Sequence, residues 1–350
     1  MIMRFLYFII CLLFIGRVFP YNDQWIDLVI ELTINNKFNR AITIIQEQIN
    51  TQPDDYKAYF YLAATYQAKM THYENLNDGQ LFNSAINKTI DIVESKLKSD
   101  KVISDSLQAD LFFYLGSAYG YRASFQGETG KWYKAIGSGR KAKKYLDRTI
   151  TTDSTFYDAY LGIGTYKYWL SSKTKFLIWL PFIGDGRDEG IELIKKAIDN
   201  NCRSKYMAMH QLIFILLNYE KYTEAIPYAE LVKEKFPESE FMWMAVAHTY
   251  YKNNDFKKAE PAYVKLLQLA ASGEEPNSSH IVKYRYKLVY IYFEQERYSE
   301  CYKECKKVIA LSDNKLLSKK AKNDLEKTRD ILEKCRKEMD AKGLPIQSQP

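Results

Sequence analysis

One interval recurs in the second half of this chain: Tyr222 and Phe256, Ala225 and Ala259, Tyr228 and Ala262, and Ala229 and Tyr263 all stand 34 residues apart. A fixed period of that length is the mark of stacked helix pairs. One two-helix unit has no way to bury its apolar face alone, so neighbours bury one another and the chain grows as a solenoid. Such an architecture points to binding before it points to catalysis.

The segment from Glu240 to Pro276 reads as helix, tight turn, helix. Trp243, Val246, Ala247 and Tyr250 fall at helical spacing on the first, Asn253-Asn254-Asp255-Phe256 makes the turn, and Ala259, Tyr263 and Leu266 mark the second. One unit earlier the same places hold Met209, Leu212, Ile213 and Leu216, then Ala225, Ala229 and Val232, with Pro237 as the stop. The small residue at Ala225 and Ala259 belongs where the two helices of a pair cross most closely.

This pattern resembles the tetratricopeptide repeat, whose signature is an aromatic, a Leu-Gly/Ala pair, a Tyr, an Ala-aromatic-Ala series and a closing Pro. The first unit carries it as Trp25, Leu28, Leu32, Phe38, Ala41, Ile45 and Pro53, and the second as Tyr59, Leu62, Ala63, Tyr66, Phe82, Ala85 and Thr89. Phe112, Leu115, Gly116, Tyr119, Ala142 and Leu146 make a third; Tyr160, Ile163, Gly164, Lys167, Gly190, Ile194 and Ala197 a fourth. The seventh uses Leu288, Val289, Tyr292, Tyr298, Cys301, Cys305 and Val308. The resemblance implies an all-α, right-handed α-solenoid of about seven helix-turn-helix units over residues 21–313. Longer connections than the family's tight turn are expected near 70–80, 123–137 and 171–184. The fourth unit departs most, with Lys167 in an aromatic place and Cys202 where Pro is expected.

The ends differ from the array. Arg4 opens an uncharged run from Phe5 to Ile15, too short to span a bilayer and the length of a secretory signal's apolar core. Residues 1–20 are therefore expected to direct export to a periplasm or the exterior, and uncleaved they would tether the chain. Without them 48 basic residues face 43 acidic ones, a net charge of +5 that is too mild to argue for nucleic acid. Much of the excess lies between Lys315 and Lys342, where ten Lys/Arg meet six Asp/Glu. Leu316, Leu317, Leu325, Ile331, Leu332 and Met339 recur there, so residues 314–342 are expected to cap the last unit with one apolar face. Residues 343–350 read as a frayed tail. Beyond the leader, cysteines stand at 202, 301, 305 and 335. Free buried thiols are expected, with Cys335 the one that would meet Cys301 or Cys305 if the capping helix folds back.

Catalytic and cofactor signatures are lacking. His72, His210, His248 and His280 are scattered without zinc-ligand spacing, and no phosphate-binding, nucleophile-elbow or zincin motif occurs. Gly184-Asp185-Gly186-Arg187 has a cation where a calcium loop needs oxygen. No cofactor, metal or enzymatic activity is expected. The resemblance instead places the first helix of each unit on a concave face, whose exposed offsets hold Phe60, Phe113, Tyr168, Trp169, His210, Phe214, Met244, His248, Tyr251, Tyr286, Tyr290 and Phe293. An aromatic groove of this kind suits an extended peptide or a partner's apolar helix. The expected function is thus a protein-interaction scaffold. A second surface is the apolar run from Phe176 to Ile183, which by default packs over the solenoid's own groove and otherwise leaves Phe176, Trp179 and Phe182 available for a partner or for peripheral contact with a membrane, as in a membrane-associated assembly factor.

Overall fold

The computed structural model describes residues 23–99, 103–173, 184–273 and 276–345. Among the described residues there are fifteen α-helices and no strand. They come in antiparallel pairs: α1 (Gln24–Ile34) with α2 (Phe38–Thr51), α3 (Tyr56–Tyr73) with α4 (Gly79–Lys98), α5 (Asp105–Glu128) with α6 (Trp132–Thr152), and α7 (Tyr157–Lys173) with α8 (Arg187–Asp199). The second half continues with α9 (Lys205–Asn218) and α10 (Tyr222–Lys235), α11 (Glu240–Lys252) and α12 (Phe256–Ser272), α13 (Ser278–Glu294) and α14 (Tyr298–Ile309), and ends on α15 (Lys319–Ala341). Each odd helix from α1 to α9 also touches the next odd helix, which makes the odd set the inner layer of an all-α solenoid and splays the even set outside it.

The turns explain why the pairs repeat so evenly. Six of them put a residue at positive φ after the first helix: Asn36, Glu74, Gly130, Glu220, Asn254 and Glu296. The next amide then reaches back to the last turn of that helix, as in Lys37 to Leu32 and Lys221 to Leu216, satisfying a carbonyl the helix would otherwise leave bare. Ala225 and Ala259 have no exposed surface. The residues in excess of a tight turn near 123–137 are spent in helix, since α5 runs to Glu128 and α6 starts at Trp132. Asp185 does not open α8 as a cap; its carboxylate accepts from the amide and guanidinium of Arg187. No helix among the described residues is long and apolar enough to cross a membrane.

Helix α15 packs on α13 and α14 through Ala321, Leu325, Cys335 and Met339, while Leu316, just before it, is almost fully exposed. Ser318 caps it by accepting from the Ala321 amide. Cys202, Cys301, Cys305 and Cys335 are free and buried, and the Sγ atoms of Cys301 and Cys335 lie 2.6 Å apart.

The array does not stay open. The inner helices of the first two units lie across the N-terminal ends of α9, α11, α13 and α15. Arg203, before α9, donates from Nε to Asp27 at 2.7 Å and from its terminal nitrogen to the Asp23 carbonyl at 2.8 Å. Ser239, the cap of α11, donates to the carbonyl of Ile34 at the end of α1, and Ile34 itself is buried in the core of the second half. Asn277, the cap of α13, donates to the His72 carbonyl at 2.8 Å, 205 residues away in sequence. Finally Glu74 takes both Lys283 of α13 and the Ser318 hydroxyl.

In the fourth pair the crossing is glycine on glycine. A Cβ on Gly164 would stand 2.5 Å from the Gly190 carbonyl, and one on Gly190 would stand 2.7 Å from the Gly164 carbonyl. Both obstacles are backbone, so a methyl must separate α7 from α8. Gly164→Ala is expected to lower the unfolding free energy by about 1–3 kcal/mol, read from urea melts followed by circular dichroism, whereas Gly137→Ala, with open space around it, should not lower it.

Candidate functional site

Two sets of side chains could do work in this molecule, one in the seam and one on the inner face of the last units. In the seam, the end of α3 supplies His72, the first turn of α11 supplies Glu240 and the first turn of α13 supplies His280. The His280 ring meets Glu240 through Nδ1 at 2.6 Å, and the Tyr284 hydroxyl donates to the same carboxylate oxygen at 2.8 Å. His72 turns Nε2 toward the other oxygen at 3.9 Å and receives the Asn36 amide on Nδ1 at 2.7 Å. The two imidazoles stand edge to face, 5.0 Å between centres.

Burial and charge set the protonation states. Burial holds His72 down to about 4, against the pull of Glu240, so its ring is neutral at pH 7. Burial pushes Glu240 up, but the hydrogen bonds from His280 and Tyr284 and the adjacent imidazoles outweigh it and leave the carboxyl below its ordinary value. Glu74 is likewise lowered: its bonds to Lys283 and Ser318 overcome its desolvation.

On the inner face, α11 and α13 set Tyr251, Tyr286 and Tyr290 around Lys287. The Tyr251 and Tyr290 rings are 5.7 Å apart, and the Lys287 ammonium sits 4.2 Å from the centre of the Tyr251 ring. All four side chains are half-buried. Burial lowers Lys287 to about 8, with Asp324 opposing and Lys252, Lys320 and Lys327 reinforcing the shift. Among the described residues no carboxylate lies within 4 Å of that ammonium. His248 beside it donates from Nδ1 to the Met244 carbonyl at 2.9 Å and is lowered to about 4, by burial first and by Lys287 next.

The aromatic residues expected along one concave groove divide into two sets. Phe60 and Tyr168 are core residues and offer no surface to a partner. Phe60 is clasped by Tyr61, Tyr114 and Tyr121, and Tyr168 is fully enclosed with its hydroxyl donating to Asn218 at 2.7 Å. The cause is spatial: a large ring at the concave offset fills the gap to the next inner helix when the helices pack this closely. His210 is buried too, its ring 3.6 Å from that of Phe241. Phe113, Trp169, Phe214, Met244, His248 and Phe293 are half-buried. Phe113 leans on Phe156 and Phe214 on His210, which leaves Tyr251, Tyr286 and Tyr290 as the set gathered round a charge. Phe176, Trp179 and Phe182 lie outside the described residues. His72, Glu240, His280 and Lys287 carry no sequence signal as a group, because the first three meet only through the seam and Lys287 sits among tyrosines that draw the eye first.

No family model matches the chain, and no curated protein matches it. Among solved structures it is similar to the C-terminal part of a TPR repeat-containing protein from Cytophaga hutchinsonii, at 17% identity and a TM-score of 0.47, over 85% of this chain and 98% of that one. It is similar also to a tetratricopeptide repeat protein from Parabacteroides merdae, at 13% identity and 0.37, over 90% and 98%. For yeast Tom70 the values are 11% and 0.33, over 90% of this chain and 89% of that one.

His210 gives the face a pH limit. Burial holds its imidazole down to about 3, far below the unfolded value, and its Nε2 has no partner. A histidine lowered by folding contributes stability that is present above the unfolded pKa and is lost as pH falls below it. Between pH 7 and pH 5 the unfolded ring gains a proton that the native ring refuses, a loss of about 2 kcal/mol from this residue. Urea midpoints across that range should fall accordingly, and His210→Phe should flatten the fall by about that amount.

Proposed function

We propose that this chain is an exported, non-enzymatic scaffold that holds a partner protein by an acidic, extended segment laid over Tyr251, Tyr286, Lys287 and Tyr290. The observation that supports this reading is a half-buried ammonium ringed by aromatic faces and by other lysines, with no carboxylate in ion-pair reach among the described residues. Desolvation of a cation is costly unless an anion answers it. A partner carboxylate over Lys287 would supply that anion, and the rings beside it would cover the apolar stem of the partner and give two or three hydroxyls for its backbone. Export follows from the apolar leader and is part of the proposal, as is peripheral membrane contact through the 176–183 run. Nothing in this arrangement places a nucleophile beside a base, and the neutral histidines at 210 and 248 serve packing.

The test uses the chain from residue 21, immobilised to capture a partner in low salt, followed by titration of that purified partner. Lys287→Glu is expected to weaken binding by at least about tenfold, and Tyr290→Ala by a similar factor. Binding by the parent chain should fall as salt rises, and the salt dependence should shrink in Lys287→Ala. Equal affinity of all these variants, with unchanged circular dichroism, removes the inner face of α11 and α13 as the docking surface.

A further inference from the structure

The seam holds more than hydrogen bonds. His72, Glu240 and His280 each offer one ligand-type atom, and these atoms all lie within 4.8 Å of one another. Two imidazoles and a carboxylate are the donor set of borderline divalent transition metals, zinc first among them. From this juxtaposition we infer that His72, Glu240 and His280 form a divalent transition-metal site, of zinc class, that joins the second unit of the solenoid to the sixth and seventh.

The geometry needs adjustments of about 1 Å, and at most about 1.4 Å for the widest pair of ligand atoms, which lie within 4.8 Å of one another. A zinc ion with bonds near 2.0–2.1 Å separates its ligand atoms by roughly 3.4 Å. The His280–Glu240 pair at 2.6 Å would open by less than about 1 Å as the ion takes the place of the proton the two now share. His72 Nε2, at 3.9 Å from the other carboxylate oxygen, would close by about half an ångström, with the carboxylate facing the ion through both oxygens. Each ligand stands at the end or the first turn of a helix, where a shift of that size costs least in packing.

The surroundings fit as well. A histidine that ligates through Nε2 needs Nδ1–H, and that proton needs an acceptor to hold the ring. Asn36 is placed for this. As it stands its amide nitrogen faces His72 Nδ1 and its Oδ1 is buried without a partner. With the amide reversed, Oδ1 accepts from Nδ1–H and the Nε2 lone pair is free to face Glu240; the two orientations have the same shape. The Tyr284 hydroxyl, 2.8 Å from Glu240 and 3.3 Å from His280 Nδ1, stands beside the fourth position and would orient a water there. Asn277 fixes the neighbourhood from both sides, accepting from the His280 amide and donating to the His72 carbonyl.

The test is made on the untagged full chain, stripped with a chelator and then given zinc or cobalt(II). The expected result is one ion per chain retained through gel filtration, a cobalt spectrum with the visible absorption of a four- or five-coordinate nitrogen–oxygen site, and a rise of about 3 °C or more in the melting temperature. His72→Gln and Glu240→Gln should each lose the retained ion and the rise. X-ray absorption on the zinc-loaded parent chain reads the site without any variant, and should show two imidazoles and an oxygen shell. Failure of the chain to retain metal overturns the inference. So does retention undiminished in both variants, or a sulfur shell, which would move the ion to Cys301 and Cys335.

Discussion

The rest of the structure depends on the closure of the array upon itself. A solenoid of helix pairs normally ends in two bare apolar faces, and each end needs a cap. Here the last unit is capped by α15, but the inner helix of the first unit is covered by the opposite half of the chain. Ile34 leaves its own unit's core for that of the second half, and Ser239, Arg203, Asn277 and Lys283 fasten the overlay at four successive levels. Nearest-neighbour additivity, which governs an open array, therefore fails here: a change in α1 or α3 is felt at α11 and α13, more than 200 residues on.

Closure also decides what each inner-face residue does. The early units have their inner rings enclosed, so that Phe60, Tyr61 and Tyr114 form one edge-to-face cluster with the charge of Arg203 nearby. The last inner helices keep their open side, and it is there that Lys287 is left among tyrosines. Position in the closed array, rather than offset in the repeat, separates a packing aromatic from an available one.

This is the physical reason the sequence was readable in one respect and silent in another. The repeat is a local object. Its signals, from Ala225 and Ala259 at the crossings to the turn at Asn253–Asp255, lie within one unit, and the structure leaves both alanines with no exposed surface. The glycine pair at 164 and 190 carries the same message even though Lys167, an irregular residue of that unit, goes outward to Glu189. The seam is a global object. His72 and His280 look like isolated core histidines in the chain, and the Asn36, Asn277 and Ser239 that support the seam are ordinary turn and cap residues. No spacing rule joins residues brought together by the curvature accumulated over five units. The same gap explains Phe60 and Tyr168, whose offsets are those of a groove but whose rings are needed to fill the space between neighbours.

The chemistry of the seam sets how firmly the closure holds. An apolar seam would gain more from burial, yet on opening it would expose two sticky faces along the edge of a long array. The polar seam exchanges hydrogen bonds with water on opening, so its net contribution is the small difference between the bonds made and the desolvation of His72, Glu240, Glu74 and Lys283. What it supplies in return is register. Glu240 is satisfied only when His280 and Tyr284 are in place, Glu74 only when Lys283 and Ser318 are, and a slip of one helical turn would strand both carboxylates without partners. Apolar contacts around Ile34 make the two halves meet, and the buried charges fix where they meet. Because Tyr251 stands about three turns beyond Glu240 on α11, and Tyr286 and Lys287 about two turns beyond His280 on α13, the orientation of all three is inherited from the seam: the geometry that closes the solenoid is also the geometry that presents its surface.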